Sequence, residues 1–221
     1  MDFGLYIIIT NPVLPYTKIA EICVKQKVKY LQLREKDKND RELLAIARNI
    51  VSITKRTETK FIINDRVDIC LVVDADGVHL GQEDLSINEV RKILPNDKII
   101  GVSTHNYSQA KEAFEQNPDY IGFGPIFSTP TKKKPDPVVG CNALSETLNK
   151  ISLQTFREIP IVAIGGINET NIKEVLQTGV RNICMVRHFM KKTELEIEIV
   201  KIKEVIKLYT YIKSIPNKRR I

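Results

Sequence analysis

The 221-residue chain lacks the cysteine pairs that mark disulfide frameworks and zinc sites. It has only four cysteines, they lie far apart, and none belongs to a Cys-x-x-Cys pair. Each falls within an apolar or helical pattern, where an isolated cysteine usually serves as a small buried side chain. The sequence therefore predicts buried free thiols at four positions: Cys23, Cys70, Cys141 and Cys184.

The chain also lacks an apolar run of the roughly 18–20 residues that a membrane span requires. Its first apolar stretch follows the acidic residue Asp2, where a secretory signal would be basic, and ends at Thr10-Asn11-Pro12. We therefore expect a cytoplasmic protein without membrane association.

A strong positive charge over the whole chain is absent as well. The formal net charge is +7, but residues 191–221 contain nine Lys or Arg against four Glu. A charge excess confined to a chain end is typical of a solvated helix face and a frayed terminus. We expect no nucleic-acid partner, and the sequence leaves open whether the chain forms a homo-oligomer.

Hydrophobic residues make up 43% of the chain and charged residues 28%, which excludes general disorder.

Short apolar runs typical of β-strands alternate with stretches of helical periodicity. The eight predicted strands span residues 6–10, 30–34, 60–64, 77–80, 99–103, 120–123, 160–164 and 182–186. Alternation of this kind indicates βαβ units and a parallel sheet, and eight strands favour a (β/α)8 TIM barrel over an open sheet. No Pro-, Gly- or Ser-rich linker interrupts the pattern, so we predict one domain, 1–213, followed by a basic tail, 214–221.

Two of the predicted helices have defined signals. The segment 168–179 has Asn168 in N-cap position and Gly179 where a left-handed C-cap would fall. The last segment alternates at 195–199 like a strand, but a longer spacing of four and three favours an amphipathic helix. That spacing involves Leu195, Ile199, Ile202, Ile206 and Tyr209.

Active sites of such barrels lie where the strands end. The second strand ends in Gln32-Leu-Arg34-Glu-Lys36, and its two cations suit a polyanion. The alternative is a surface ion pair of Arg34 and Lys36 with Glu35.

Carboxylates follow the third and fourth strands. Asn64 and Asp65 end one run, and Asp84 closes the stretch Gly-Val-His-Leu-Gly-Gln-Glu-Asp at 77–84. Two carboxylates beside a cationic cluster match Mg²⁺ that is completed by substrate phosphate and water. Asp65 could instead cap the next helix.

His79 has no second histidine at ligand spacing, so we predict a structural histidine.

The fifth strand delivers Ser103 and then His105. No Gly-x-Ser-x-Gly elbow surrounds Ser103, so we predict a hydroxyl that binds substrate rather than a nucleophile. His105 could serve as an acid or a base.

The remaining strand ends suit anions, with a monophosphate near Thr129, Thr131 and Gly166. Thr129, Thr131 and Lys132 lie on a proline-braced loop that resembles an anion clamp, although 132–134 could be a solvated charge run. Gly165-Gly166 and Val186-Arg187 follow strands seven and eight, the usual phosphate position of such barrels. Two anion sites on one rim predict a reaction that joins two phosphorylated small molecules with loss of pyrophosphate.

Six collinear motifs resemble the signatures of the thiamine phosphate synthase (thiamine-phosphate pyrophosphorylase) family. They lie at 32–36, 63–65, 77–84, 101–105, 120–132 and 162–167. The resemblance implies a transferase that joins 4-amino-2-methyl-5-hydroxymethylpyrimidine diphosphate to a thiazole phosphate, whether carboxylated or not, in thiamine biosynthesis.

By the same resemblance each candidate residue receives a role. Asp65 and Asp84 would hold Mg²⁺, and Arg34, Lys36, Ser103 and Lys132 would form the catalytic set. The pyrimidine diphosphate would be bound by Gln32, Arg34, Lys36, Asn64 and Lys132, and the thiazole phosphate by Thr129, Thr131 and Gly166. Ser103, Val186 and Arg187 would also bind substrate. Val186-Arg187 departs from the family pattern of a serine and small residues, so Arg187 either adds a charge to the phosphate site or points outward.

Two other functions compete with this one. A thiazole tautomerase of the same fold would need neither metal nor diphosphate, and a non-catalytic phosphate-binding barrel would not need two metal-type carboxylates. Retention of Asn64-Asp65, of Asp84 and of the stretch Thr129-Pro-Thr-Lys132 favours the synthase.

Overall fold

A computed structural model describes residues 3–131, 136–154 and 158–214. Within them eight strands alternate with nine helices along the chain. The strands are β1 Leu5–Ile9, β2 Tyr30–Leu33, β3 Lys60–Asn64, β4 Gly77–Leu80, β5 Ile99–Thr104, β6 Tyr120–Phe123, β7 Ile161–Ile164 and β8 Asn182–Met185. The helices are α1 Tyr16–Lys25, α2 Asp40–Thr54, α3 Val67–Val73, α4 Ile87–Arg91, α5 Tyr107–Glu115, α6 Gly140–Ser152, α7 Ile172–Gln177, α8 Arg187–Met190 and α9 Leu195–Ser214.

The strands form a closed barrel in sequence order. Every neighbouring pair is parallel, and β8 returns to pair with β1, with Ile183 opposite Leu5. The predicted (β/α)8 barrel is therefore confirmed, and each predicted strand agrees with an observed one to within one residue at either end. Because all strands run the same way, all eight carboxyl ends meet at one rim.

The helix 168–179 is shorter than predicted, since α7 begins only at Ile172. Asn168 does not cap it: its Oδ1 accepts from the backbone N–H of Thr170 at 2.8 Å, in a turn that precedes the helix. Short polar side chains form such local turns as readily as caps. Gly179 does adopt the left-handed conformation predicted for it, with φ of 105°.

The core has two parts. A large apolar layer lies between the strands and the surrounding helices. A smaller cluster, formed by Tyr6, Ile8, Tyr120, Val162 and Cys184, is separate from it. Positions of the same parity on neighbouring strands belong to this second cluster, as expected for side chains that point into the barrel.

The four cysteines are free thiols, as predicted. Cys23, Cys70 and Cys184 are buried, whereas Cys141, at the start of α6, is only half-buried. Burial raises the pKa of Cys70 to about 12, which keeps this thiol protonated and unreactive.

The predicted amphipathic helix is confirmed in α9. Leu195, Ile199, Ile202 and Ile206 are buried, and Tyr209 packs against the core. Over the described ranges, no helix is both long and apolar enough to span a bilayer. The tail from residue 215 onward lies outside the described residues, so its role stays a prediction.

Candidate active site

One cluster of charged side chains lies where β2, β3 and β4 end. The Lys36 ammonium forms an ion pair with Oδ2 of Asp65. Asp84 Oδ2 accepts from the backbone N–H of Gly81 at 2.6 Å, which fixes this carboxylate at the end of β4. Residues that are up to 48 positions apart in sequence thus form a single polar group, which we call the carboxylate cluster.

The backbone of Asp65 holds its side chain in this cluster. Asp65 has a φ of 59°, in the left-handed region that aspartate tolerates better than most residues, and its N–H donates to the carbonyl of His79 at 2.8 Å. The alternative role of Asp65 as a helix cap is wrong, since Arg66 occupies the N-cap position of α3 and no side chain caps it.

The electrostatics of the cluster fit a bound cation. Burial raises the pKa of Asp84, and the neighbouring Asp65 carboxylate raises it further, while Lys36 opposes the shift. Two carboxylates repel each other, and one lysine offsets only part of this repulsion. A further positive charge would therefore stabilise the ionised form of both. Their oxygens are hard ligands of the kind that Mg²⁺ takes, so the donor set fits the metal that the sequence predicts.

Glu35 does not neutralise the cations beside it. Its side chain is buried and accepts from the backbone N–H of Asn11 at 2.8 Å and from the hydroxyl of Tyr16 at 2.7 Å. The alternative of a surface ion pair among 34–36 is therefore wrong. Strand alternation sends Glu35 to the opposite side from Arg34 and Lys36.

Gln32 and Ser103 each form a hydrogen bond with a different side chain in the barrel interior. Gln32 is buried, and its amide nitrogen donates to the hydroxyl of Tyr6 at 2.7 Å. Ser103 Oγ lies 2.9 Å from Nε2 of His79, whose Nδ1 lies 3.0 Å from the hydroxyl of Tyr120. Both ring nitrogens of His79 have hydrogen-bond partners, as the structural histidine predicted from the sequence requires.

Sequence reasoning missed Tyr6 and Tyr120. Both stand in apolar strands at positions that alternation assigns to the barrel interior, and a tyrosine hydroxyl buried there requires a polar partner. That requirement was the available signal.

His105 has partners other than the rim clusters. Its Nδ1 lies 2.5 Å from the carbonyl of Gly124, and its Nε2 lies 3.6 Å from a carboxylate oxygen of Asp136. The ring therefore ties the end of β5 to the loop after β6. Its role as an acid or a base stays a prediction.

The loops after β6 and β7 form a second polar group. Thr129 Oγ1 lies 3.0 Å from Thr131 Oγ1. Gly166 packs so closely on the β6 loop that a Cβ atom there would lie 2.7 Å from both Phe127 Cβ and the carbonyl oxygen of Ser128. Thr129, Thr131 and Gly166 thus lie on adjoining loops. We call these three residues the glycine–threonine group.

Two backbone hydrogen bonds hold these loops together. The N–H of Ile126 donates to the carbonyl of Ile164 at 2.9 Å, and the N–H of Phe127 donates to that of Gly165 at 3.0 Å. A strand-like pairing therefore continues from β6 and β7 past the ends of the strands. It places hydroxyls and backbone of two loops at one sector of the rim.

The structure shows the position of four further predicted site residues, but it does not test their roles. Asn64 ends β3, half-buried beside Asp65, and Arg34 follows β2, half-buried. Val186 is the N-cap residue of α8, and Arg187, its first residue, is exposed. Lys132, with its neighbours 133–135, lies outside the described residues.

A closed barrel with a carboxylate cluster and a hydroxyl-bearing loop on its carboxyl rim is typical of a barrel enzyme whose active site lies at that rim. Comparison with known proteins identifies the family. Residues 5–189 match the family model described as thiamine monophosphate synthase. The chain therefore belongs to this family, which places it among the transferases of thiamine biosynthesis.

Individual relatives agree. A thiamine-phosphate synthase of Clostridium botulinum (strain Loch Maree) is 40% identical over 200 residues, which cover 89% of this chain and 95% of that protein. One from Caldicellulosiruptor saccharolyticus is 40% identical over 190 residues, covering 86% and 83%. A solved thiamine phosphate pyrophosphorylase from Pyrococcus furiosus is 31% identical with a TM-score of 0.81, covering 94% of this chain and 96% of that one.

Proposed function

We propose that this chain joins 4-amino-2-methyl-5-hydroxymethylpyrimidine diphosphate to a thiazole phosphate, and releases thiamine phosphate and pyrophosphate. The observation that carries the proposal is the meeting of Lys36 with Asp65 and Asp84 at the ends of three successive strands. A lysine beside two carboxylates suits a diphosphate that arrives with a divalent cation.

The carboxylate cluster would receive the diphosphate. Asp65 and Asp84 would hold Mg²⁺, which supplies positive charge to the diphosphate oxygens when bound. Lys36, paired with Asp65, and Arg34 add cationic donors on the same sector, and Glu35 is turned away from both. Asn64, at the end of β3 beside Asp65, would add an amide to this sector.

The glycine–threonine group would receive the thiazole phosphate. Thr129 and Thr131 supply hydroxyl donors, and Gly166 lets the backbone approach the anion without a side chain in the way. Arg187 begins the helix after β8, next to the β7 loop along the rim, where a guanidinium would add a charge-assisted hydrogen bond.

The chemistry requires no nucleophile from the protein. The bond between the pyrimidine methylene carbon and the diphosphate oxygen breaks, and its electron pair leaves with the pyrophosphate. The aminopyrimidine ring delocalises the positive charge at the methylene carbon, and the thiazole nitrogen donates its lone pair to form the new C–N bond. The cationic side chains lower the barrier by stabilising charge on the leaving group.

The test is incubation of the purified chain with both precursors and Mg²⁺. We expect thiamine phosphate and pyrophosphate in equal amounts, and no product after EDTA treatment. Lys36→Ala should lose most turnover. Lys92→Ala is the matched control, because Lys92 is also an exposed lysine in an ion pair, with Glu89 on α4 at 2.8 Å.

Other outcomes point to other functions. Isomerisation of a thiazole substrate without consumption of diphosphate would favour the tautomerase, and binding of both precursors without turnover would favour a phosphate-binding barrel. Equal activity of the Lys36→Ala and Lys92→Ala variants would contradict the assignment of the carboxylate cluster to the diphosphate.

A further inference from the structure

A continuous chain of hydrogen bonds crosses the barrel interior. It runs from the amide nitrogen of Gln32 to the hydroxyl of Tyr6 at 2.7 Å, and from there to the hydroxyl of Tyr120 at 2.7 Å. It continues from Tyr120 to Nδ1 of His79 at 3.0 Å, and from Nε2 of His79 to Oγ of Ser103 at 2.9 Å. We call these five residues, from five different strands, the interior chain.

The middle of the interior chain is rigid. Tyr6 and Tyr120 are fully buried, and burial raises the pKa of both phenols well above its ordinary value, so each keeps its proton. The ring of His79 stacks on Tyr120 with centroids 5.5 Å apart. Gly101 makes room for the Tyr120 ring, because a Cβ there would lie 2.0 Å from its Cζ.

One arrangement of protons gives the hydroxyl protons of Tyr6 and Tyr120 and the N–H of His79 each a partner within the interior chain. A hydroxyl donates one proton, and a neutral imidazole donates through one nitrogen and accepts through the other. In that arrangement the Gln32 amide donates to Tyr6, Tyr6 donates to Tyr120, and Tyr120 donates to Nδ1 of His79. Nε2–H of His79 then donates to Ser103, whose own proton is left to donate to another group.

The two ends of the interior chain therefore have opposite character. Ser103 is a donor, while Gln32 keeps its carbonyl oxygen Oε1 for accepting. That oxygen is buried and has no hydrogen-bond partner within the described ranges. An orphaned buried acceptor is costly, and it indicates a group that a ligand satisfies.

We propose that Tyr6, Tyr120 and His79 are positioning residues, which hold the Gln32 amide as an acceptor and the Ser103 hydroxyl as a donor at the same time. This inference rests on the proposed function, in which an aminopyrimidine binds at the rim. Such a ring offers an amino donor and ring-nitrogen acceptors, which are complementary to the two ends of the chain. The pyrimidine is thus oriented by residues that never touch it.

The test uses the variants Tyr6→Phe and Tyr120→Phe, which remove one hydroxyl each. Tyr30→Phe is the matched control: the Tyr30 ring lies 5.5 Å from Tyr6 and 5.4 Å from Tyr120, yet no member of the interior chain bonds its hydroxyl. The measurement is the dissociation constant, with Mg²⁺, of the pyrimidine diphosphate and of its analogue without the amino group. The Michaelis constant for the thiazole phosphate is measured beside it.

In the wild type, removal of the amino group should weaken binding about tenfold or more. We expect this penalty to fall below about threefold in Tyr6→Phe and Tyr120→Phe, which should themselves bind the full substrate about tenfold more weakly. Tyr30→Phe should keep the wild-type penalty. The Michaelis constant for the thiazole phosphate should change less than about twofold in all three.

A second measurement separates positioning from packing. Gln32→Ala and Ser103→Ala are combined in the wild type and in Tyr120→Phe. In the wild-type background, where the interior chain couples the two residues, the effect of the double variant on pyrimidine binding should differ from the product of the two single effects. In the Tyr120→Phe background, which lacks the linking hydroxyl, it should equal that product.

Each outcome decides a different question. If Tyr6→Phe and Tyr120→Phe behave like Tyr30→Phe, or if both substrates weaken equally, the inference is overturned and the tyrosines serve packing alone. A wild-type protein that binds the thiazole phosphate but no pyrimidine diphosphate would overturn the proposed function, and the inference with it.

Discussion

Replacement of Gly166 by alanine should lower the stability of the protein and weaken phosphate binding by the glycine–threonine group. Gly166 has a φ of 66°, and the left-handed backbone costs a residue with a Cβ roughly 1–2 kcal/mol. The new Cβ would also lie 2.7–2.8 Å from Phe127 Cβ and from the carbonyl oxygens of Phe127 and Ser128. Those backbone atoms cannot rotate away, so overpacking adds about 1–3 kcal/mol.

The matched variant is Gly140→Ala. Gly140 has a similar φ of 76°, but a Cβ there would meet nothing within 4 Å. It therefore isolates the backbone cost. We expect the free energy of unfolding, measured by urea denaturation, to fall by about 1–2 kcal/mol for Gly140→Ala and by a further 1–3 kcal/mol or so for Gly166→Ala.

Activity should separate the two variants more clearly. Displacement of the β7 loop should raise the Michaelis constant for the thiazole phosphate about tenfold or more in Gly166→Ala, since small misplacements of binding groups are costly. Gly140→Ala should keep the wild-type constant. Equal losses of stability in both variants, with unchanged kinetics, would show that the β6 and β7 loops yield freely and that the steric reasoning is wrong.

Four further predictions concern single side chains. Asp84→Asn should lose most turnover while the fold persists, and full activity of this variant in EDTA-treated buffer would exclude the metal assignment. Lys132→Ala should weaken use of the pyrimidine diphosphate with a change in stability within about 0.5 kcal/mol, and equal losses in Lys133→Ala and Lys134→Ala would favour a solvated charge run. Arg187→Ser should raise the Michaelis constant for the thiazole phosphate about tenfold, and unchanged constants for both substrates would place Arg187 in solvent. His188 lies in α8 with its Nε2 3.2 Å from a carboxylate oxygen of Glu198, and burial lowers its pKa below the ordinary 6.5 although Glu198 opposes the shift. The unfolded chain therefore takes up this proton first, and the free energy of unfolding should fall as the pH drops below about 6.5. His188→Gln should remove that part of the pH dependence in urea titrations.

Much of the architecture is predictable from local patterns. Five strands end directly before a glycine or a charged residue, which stops the apolar run: β2, β3, β4, β6 and β7. The buried face of α9 follows from the spacing of Leu195, Ile199 and Ile202. Helix starts are harder to predict, as α7 shows, because Asn168 bonds its own turn instead of a helix end.

The sequence by itself determined the closed eight-stranded barrel, the rim on which polar residues converge and the family. These depend on period-two alternation, on the residues just after each strand and on motifs that are contiguous in the chain. The residue types on the rim also indicated two anions and a divalent cation.

Only the tertiary structure decided which of these residues meet. Whether Lys36 pairs with Glu35 or with Asp65 depends on the side to which the strand turns each side chain and on the register between strands. The link from Gln32 to Ser103 depends on rings from β1, β4 and β6 that meet inside the closed barrel. Contacts between residues so far apart in sequence have no local signature, because they exist only once the barrel has closed.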